Sequence, residues 1–298
     1  MSPQPLRLAV REAERILADA GVASPRTDAE LLAAHVLGVP RGRLPMIPLV
    51  EPPMVGALRE LVHQRAARVP LQHLTGTAAM GGVEVAVGPG VFIPRPETEL
   101  LLVWGLAAVA DVARPLVVEL CTGSGALALA LAQARPDAQV HAVELDPVAL
   151  SWARHNADTR ARAGDTPVVL HSGDVADPGL LSALDGMAHL VLCNAPYVPA
   201  GAPTPPEVWQ HDPPVAVFAG QDGLAVIPDV IRTGTRLLRE GGGIAIEHDD
   251  SHGQVVPALL AAHRGLTDVT DHLDLTGRPR FATARRRTRP SPALTSPR

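Results

Sequence analysis

Leu116-Val117-Val118-Glu119-Leu120-Cys121-Thr122-Gly123-Ser124-Gly125 is the stretch that decides the fold. A short, almost wholly apolar run reads as a buried strand over Leu116–Leu120, and the residues from Ser124 to Ala134 read as a helix. Strand, glycine turn and helix in that order turn free backbone N–H groups and a helix N-terminus toward a ligand. Gly123 and Gly125 let the main chain approach closely because neither carries a Cβ.

Downstream the alternation continues. Strands are expected at Gln139–Glu144, Pro167–His171, His189–Cys193, Gly243–His248 and Leu266–Asp271, with a last one near Arg280–Thr283. Helices fit Pro147–Ala157, Leu224–Leu238 and Gln254–His263. Strands separated by helical patterns predict an α/β fold with a seven-stranded, mostly parallel Rossmann-like sheet covered on both faces. A long Pro-rich loop separates Pro199 from Asp222, and loops of that length are functional or disordered.

Upstream the pattern is different. Leu6, Val10, Ala13, Leu17 and Ala20 recur at helical spacing, and Gly21 is placed to stop that helix. Thr27 and Glu30 form a capping-box pattern for a second helix, and Pro52 and Pro53 precede a third. Val83, Val85 and Val87 alternate with Glu84 and Ala86, then Gly88-Pro89-Gly90 precedes Val91-Phe92-Ile93, which reads as a β-hairpin. Pro94-Arg95-Pro96-Glu97-Thr98-Glu99 leads into a further helix carrying Leu100, Leu101 and Trp104. The expected organisation is a helical partner-recognition lobe over 1–75, a β-hairpin linker over 76–95, a catalytic domain over 96–284 and a disordered basic tail over 285–298.

Composition narrows the class. A chain of 298 residues that is 46% hydrophobic and 19% charged can bury a sizeable core. Aromatics make up 2%, so that core must be built from Ala, Val and Leu, and every basic side chain is Arg. A net charge of −5 argues against a dedicated nucleic-acid site. Two cysteines do not make a disulfide framework, and Arg7, Arg11, Glu12, Glu14 and Arg15 leave no room for an apolar leader. No apolar run reaches membrane-spanning length. A cytoplasmic, soluble protein with no membrane partner is expected.

The polar residues at the strand ends point to a ligand. Glu144 closes the second strand about 20 residues after the glycine turn, where an acid accepts from both hydroxyls of a ribose. Asp174, in Ser172-Gly173-Asp174-Val175 after the third strand, could take an adenine amino group. The turn lacks the Gly-x-Gly-x-x-Gly spacing that a dinucleotide wants for its pyrophosphate. S-adenosylmethionine, with a ribose and an adenine but no phosphate, is the better ligand. After the fourth strand comes Asn194-Ala195-Pro196-Tyr197, which holds the chain's single tyrosine. Its proline and amide sit where open α/β sheets bind ligands.

Three segments taken together, Phe92 to Leu100, Glu119 to Gly125 and Asn194-x-Pro196-Tyr197, resemble the protein N5-glutamine methyltransferases, and the likeness runs over roughly residues 5 to 283. Pro206-Glu207-Val208 and the segment from Asp212-Pro213-Pro214 to Asp222-Gly223-Leu224 share it. The resemblance implies a class I methyltransferase sheet, S-adenosylmethionine as cofactor, and methylation of the glutamine in the Gly-Gly-Gln loop of a peptide chain release factor. A ribosomal protein is a further candidate substrate, and a monomer is expected. It assigns the cofactor to Cys121, Thr122, Gly123, Ser124, Gly125, Glu144, Asp174, Val175 and Asn194, the chemistry to Asn194, Ala195, Pro196 and Tyr197, and no residue to a metal.

The residue types suit that chemistry. An amide nitrogen is a poor nucleophile because its lone pair is delocalised, so a site helps by holding both amide hydrogens. The Asn194 side-chain oxygen and the Ala195 carbonyl are suitable acceptors. Pro196 keeps that carbonyl aimed, and Tyr197 could pack on the amide and face the sulfonium, worth roughly 0.5–2 kcal/mol. The family usually has proline at the position of Ala195, glycine at that of Cys121 and tryptophan at that of Val175. The expected results are a less stiff turn, a narrower approach and weaker adenine packing. An exocyclic-amine nucleic-acid methyltransferase, acting on adenine N6 or guanine N2, poses the same chemical problem and is the rival enzyme. A cofactor-binding adaptor without turnover is the rival of another class.

Among the remaining residues, Glu247, His248, Asp249, Asp250 and His252 have no standard metal-ligand spacing and read as a solvated loop. Cys121 and Cys193 read as small buried hydrophobes, Trp104 and Trp152 as core, and Trp209 as either core or site.

Overall fold

Leu6, Val10, Ala13 and Leu17 bury one side of α1 (Leu6–Asp19), as their spacing predicts. With α2 (Pro25–Leu37) and α3 (Pro52–Ala66) they close a small core around Leu17, Leu32, Leu58 and Val62. Two short strands, β1 (Gln4–Pro5) and β2 (Leu49–Val50), pair antiparallel beside it, and α4 (Leu71–Thr75) completes the set. The second helix does not start at a capping box. Its N-cap is Ser24, Pro25 occupies the first turn and Thr27 lies inside the helix. Pro25 is pre-set for that first position. Glu30 is drawn off to Arg26 and Arg41 instead of reaching back to the backbone.

The computed structural model describes residues 2–288. The chain divides into two compact units, one built from residues up to 77 together with 87–89 and 204–212, the other from 78–86, 90–203 and 213 onward. The hairpin pairs β3 (Thr77–Met80) with β4 (Val83–Ala86). Its turn is therefore Gly81-Gly82, and Val91-Phe92-Ile93 is not a strand. A two-residue Gly-Gly turn suits a tight hairpin, and Gly81 has a φ of +54°. Val91 and Ile93 are buried all the same, so their alternation reports packing and not pairing.

The larger unit carries the expected seven-stranded sheet, built from β5 (Leu116–Leu120), β6 (Gln139–Glu144), β7 (Val169–Ser172), β8 (Ala188–Cys193), β9 (Leu238–Glu247), β10 (Leu266–Leu273) and β11 (Pro279–Arg286). Its order is β10-β11-β9-β8-β5-β6-β7. The five strands from β9 through β8, β5 and β6 to β7 run parallel, while β11 lies antiparallel to β9 and β10. Helices α5 (Glu99–Ala108), α6 (Ala126–Ala134), α7 (Pro147–Arg162), α10 (Ile227–Leu237) and α11 (Val255–Ala262) accompany it. β5 is buried at every position, which explains why its sequence shows no polar alternation. Strand β11 runs on through Arg285 and Arg286, which the sequence placed in the basic tail. The rest of that tail from residue 289 lies outside the described residues. Among the described residues no helix is long and apolar enough to cross a membrane.

The Pro-rich loop contains two short helices, α8 (Pro206–His211) and α9 (Pro214–Val217). α8 belongs to the smaller unit. Glu207 accepts from Arg65 Nη1 (2.8 Å) and from Arg68 Nε and Nη2 (2.9 and 2.7 Å), while Arg65 Nε donates to Asp28 (2.8 Å). Burial pushes the Glu207 carboxyl up, but the Arg68 and Arg65 guanidiniums outweigh it and hold it at about 2. Removing one member of a buried ion network leaves uncompensated charge. Glu207→Ala is expected to destabilise the protein by roughly 3 kcal/mol, read as a fall in the urea midpoint. An unchanged midpoint would mean that the Arg65 and Arg68 side chains find water or other partners at no cost.

Candidate active site

The strand order reverses around β5. The chain passes from β5 outward to β6 and β7, then returns to β8 on the other side of β5. Ligands of open α/β sheets bind outside the carboxyl ends of strands at such a switch point. Leu120 and Cys193 are opposite each other in the β5–β8 register. The glycine turn and the tetrapeptide therefore leave the sheet side by side.

The turn is organised from below by a buried acid. Glu119 Oε2 accepts from the Thr122 hydroxyl and from the Ala128 N–H (3.0 Å) in the first turn of α6. Burial pushes the Glu119 carboxyl up to about 8 against those two donors. Cys121, Gly123 and Gly125 all have left-handed φ values, +60°, +58° and +82°. Gly123 faces open space where a Cβ would stand, whereas Cys121 holds this conformation with a side chain, which costs roughly 1–2 kcal/mol. The Cys121 side chain packs against the core cluster that includes Cys193, so what the substitution alters is chiefly backbone strain.

Glu144, at the end of β6, spans the turn and the next loop. Its Oε2 accepts from the Gly123 N–H (2.7 Å) and its Oε1 from the Asp146 N–H (2.9 Å). Burial raises its pKa, and the N–H groups of Asp146 and Gly123 oppose the shift. Asp174 lies after β7 and accepts from the Ala176 N–H (2.8 Å). Val175 has its side chain in the core cluster, and its carbonyl accepts from the Thr233 hydroxyl (2.8 Å). Asn156 on α7 braces the group. It donates to the Ser124 and Ala86 carbonyls (2.9 and 3.0 Å) and accepts from the Ala86 N–H (2.8 Å).

The tetrapeptide follows β8. Asn194 Nδ2 donates to Thr98 Oγ1 (2.9 Å), which leaves the side-chain oxygen unspent. Ala195 is buried at 2% exposure in the core cluster. The Tyr197 hydroxyl donates to Glu247 Oε1 (3.1 Å), and burial together with that carboxylate raises the phenol pKa. The chain after Tyr197 is tied back on itself: Val198 bridges Phe218, and the Ala200 N–H donates to the Gly220 carbonyl (2.8 Å). Gly223, at φ +75°, passes so near that a Cβ would stand 2.3 Å from the Tyr197 carbonyl.

Of the residues read as a solvated loop, Glu247, His248 and His252 are buried, while Asp249 and Asp250 are half-buried in the turn after β9. Glu247 ends β9, and both it and His248 are fully buried. His248 contacts the Asp249 carbonyl (2.8 Å) and the Asp271 carboxylate (3.0 Å), and His252 contacts the Asp222 carbonyl (2.9 Å). Their consecutive polarity suggests water, but the sheet buries Glu247 at a strand end, which is the one signal that could have marked it. Thr98 was also missed as a site residue. Among the described residues no three His, Cys, Asp or Glu side chains are grouped to hold a metal ion. Trp209 on α8 is 60% exposed, so it belongs to no core. Cys193 is fully buried and Cys121 partly so.

Comparison with known proteins decides the family. Residues 9–76 match the model of the PrmC N-terminal domain, and residues 97–211 match that of the methyltransferase small domain. The chain is 53% identical to the release factor glutamine methyltransferase of Mycolicibacterium smegmatis, over 94% of this chain and 98% of that one. It is 48% identical to the protein of that name from Streptomyces coelicolor, over 93% and 96%, and 39% identical to that from Deinococcus radiodurans, over 94% and 98%. The chain belongs to the release factor glutamine methyltransferase family. As a member of that family it is an enzyme, and its sheet is a methyltransferase sheet.

Two buried acids give this methyltransferase a pH signature. Glu247 is pushed up to about 7 by burial, against the Thr98 and Tyr197 hydroxyls and Arg280, and Glu119 to about 8. In the unfolded chain both ionise near 4.5. Between 4.5 and the folded values, the folded state keeps protons that the unfolded state has lost, so stability falls as pH rises. Their stabilising contribution is complete below 4.5 and gone above about 8. In thermal unfolding the two acids should make Tm higher at pH 5.5 than at pH 8.5, by the equivalent of a few kcal/mol of stability, offset in part below pH 6.5 by the histidines whose pKa burial lowers. Glu247→Gln should reduce that slope. A Tm that rises over this interval would place the two carboxyls in a more polar setting.

Proposed function

We propose that this enzyme transfers a methyl group from S-adenosylmethionine to N5 of a glutamine side chain, in the Gly-Gly-Gln loop of a peptide chain release factor. The observation that carries the reading is the orientation of Asn194. With Nδ2 committed to Thr98, its side-chain oxygen is the free end, and an amide –NH2 needs an acceptor. Near-identity of length and extent with relatives named release factor glutamine methyltransferases supports the substrate.

The residues at the switch point fit the cofactor. Gly123 opens onto free space, Glu144 offers a carboxylate for a ribose diol, and Asp174 stands at the end of the adjoining strand. Gly123, Ser124 and Gly125 would present main chain to the ligand, with Cys121 and Thr122 shaping the turn. S-adenosylmethionine supplies an electrophilic methyl on a sulfonium. The chain's part is to hold the nucleophile. The Asn194 oxygen and the Ala195 carbonyl accept the two amide hydrogens and turn the nitrogen's lone pair outward. Pro196 fixes the direction of that carbonyl, and the Tyr197 ring closes the other side. Positioning of this kind supplies several kcal/mol of the barrier reduction. A monomer working in the cytoplasm on translation termination, with a ribosomal protein as a second candidate substrate, completes the proposal.

Purified release factor incubated with methyl-labelled S-adenosylmethionine should become labelled, and a Gln→Ala change in its Gly-Gly-Gln loop should abolish the label. Label in RNA or DNA would instead establish an exocyclic-amine nucleic-acid methyltransferase, and cofactor binding with no label anywhere an adaptor. Asn194→Ala should cut kcat on the order of 10²–10³-fold while leaving cofactor affinity nearly unchanged, as for loss of one oriented polar group. Lost cofactor affinity at unchanged kcat would reverse the role assigned to it.

A further inference from the structure

His252 has no part in the chemistry described so far, yet it reaches the reacting segment through one glycine. Its ring stands in the short turn Asp250–His252 after β9 and is 6% exposed. That turn is anchored independently of the ring. The Asp249 side chain accepts from the Ser251 N–H (3.0 Å), and His248 contacts the Asp271 carboxylate (3.0 Å). Gly253 lies so close to β11 that a Cβ would stand 2.6 Å from Pro279. From this base, His252 Nε2 meets the Asp222 carbonyl at 2.9 Å. A carbonyl only accepts, so Nε2 carries a proton and donates it to the bond. The next residue is Gly223. A Cβ there would stand 2.3 Å from the Tyr197 carbonyl, 2.9 Å from His252 Cε1 and 3.1 Å from Pro199 Cδ. The glycine is therefore gripped between the histidine ring and the backbone of Tyr197.

Resting on the function proposed above, we propose that His252 is a positioning residue for Tyr197. Through the Asp222 carbonyl it holds Gly223 against the Tyr197 carbonyl, and so fixes the main-chain end of the tyrosine. Glu247 fixes the hydroxyl end separately. A phenol held at both ends keeps its ring against the target amide, whereas one held by its hydroxyl alone can pivot. Gly223 has no side chain to pack on Tyr197, and at φ +75° one would be strained, so its place depends on what stands behind it. The same bond completes the closure of the loop that leaves the tetrapeptide. The Val198 N–H donates to the Val217 carbonyl (3.0 Å), the Ala219 N–H to the Val198 carbonyl (3.0 Å), and the Ala200 N–H to the Gly220 carbonyl (2.8 Å). Those bonds reach Gly220, and His252 carries the hold on to Asp222.

His252→Phe keeps a ring and removes the donor, whereas His252→Gln keeps an N–H donor near the place of Nε2. With a release factor as substrate, His252→Phe should lower kcat and kcat/KM together by roughly 10-fold, as when a group is misplaced in the transition state. His252→Gln should recover most of that loss. A second reading needs no substrate. Tyr197 is the chain's single tyrosine, so protein made with tyrosine isotopically labelled at its carbonyl carbon gives one NMR resonance, from the carbonyl that Gly223 touches. That resonance should move in His252→Phe and return toward its wild-type position in His252→Gln. A His252→Phe enzyme within about 2-fold of wild type, a resonance that stays in place, or a Gln variant that recovers nothing would overturn the proposal. If His252→Phe does not fold, His252→Ala, which also lacks the donor, replaces it in both measurements. A wild-type enzyme that labels no release factor overturns the function proposed above, and the tyrosine resonance then still decides whether His252 holds Tyr197.

Discussion

A sheet buried on both faces has no room for polar chemistry along its strands, so the chemistry collects at their ends. Here five neighbouring parallel strands bring polar groups to one edge. β5 leads to the glycine turn, β6 ends in Glu144, β7 precedes Asp174, β8 precedes Asn194 and β9 ends in Glu247. The parallel registers pair Glu144 with Ser172, Leu120 with Cys193, and Cys193 with Ile246, so these ends are level with one another. Residues as far apart in the chain as Leu120 and Cys193 become neighbours because backbone hydrogen bonding leaves the strands little freedom to slide. A slip of one residue would also exchange buried and exposed faces.

The same constraint makes the acids costly. A carboxylate removed from water is disfavoured unless donors replace its hydration. Glu144 obtains two backbone N–H groups, and Glu119 a hydroxyl and the N–H of Ala128. All of these donors but the Asp146 N–H belong to the glycine turn or the first turn of α6. The acids are therefore not incidental to the turn: they are what the left-handed residues at 121, 123 and 125 wrap around. Glu119 defines the path of the loop from inside and Glu144 from the adjoining strand, and Asn156 ties the loop to β4.

What was legible in the sequence followed from burial. Leu116–Leu120 appears where its apolar run places it, because a doubly covered strand is apolar nearly throughout, and Gln139–Glu144 appears with Val140, Ala142 and Val143 buried. The tetrapeptide was legible because proline stops a central strand. Features that depend on choosing between near-equal local options were not. Thr27 and Glu30 have capping-box spacing, but Pro25 opens the helix earlier and two arginines claim Glu30. Val91-Phe92-Ile93 alternates like a strand, yet the Gly81-Gly82 turn selects the preceding segment as the partner of Val83–Ala86. Glu247 was least legible of all. Its letters, Glu-His-Asp-Asp-Ser-His, look solvated, and only the pairing of β9 with β8 and β11 shows that its first residue is inside.

Ala195, where the family usually has proline, raises the question of what keeps the turn rigid. Proline acts largely by limiting the unfolded chain, and its absence costs about 0.4–1 kcal/mol of stability. It is not needed to define the folded turn when other contacts do so. The Ala195 side chain is locked in the core cluster. On one side of it the Asn194 amide is held by Thr98, and on the other Pro196 fixes φ and the Tyr197 hydroxyl is held by Glu247. Past the tyrosine, the bridge from Val198 to Phe218 and the close passage of Gly223 confine the backbone. The loss of stiffness therefore falls on the unfolded ensemble, and the folded backbone at residue 195 is held by the packing of its neighbours.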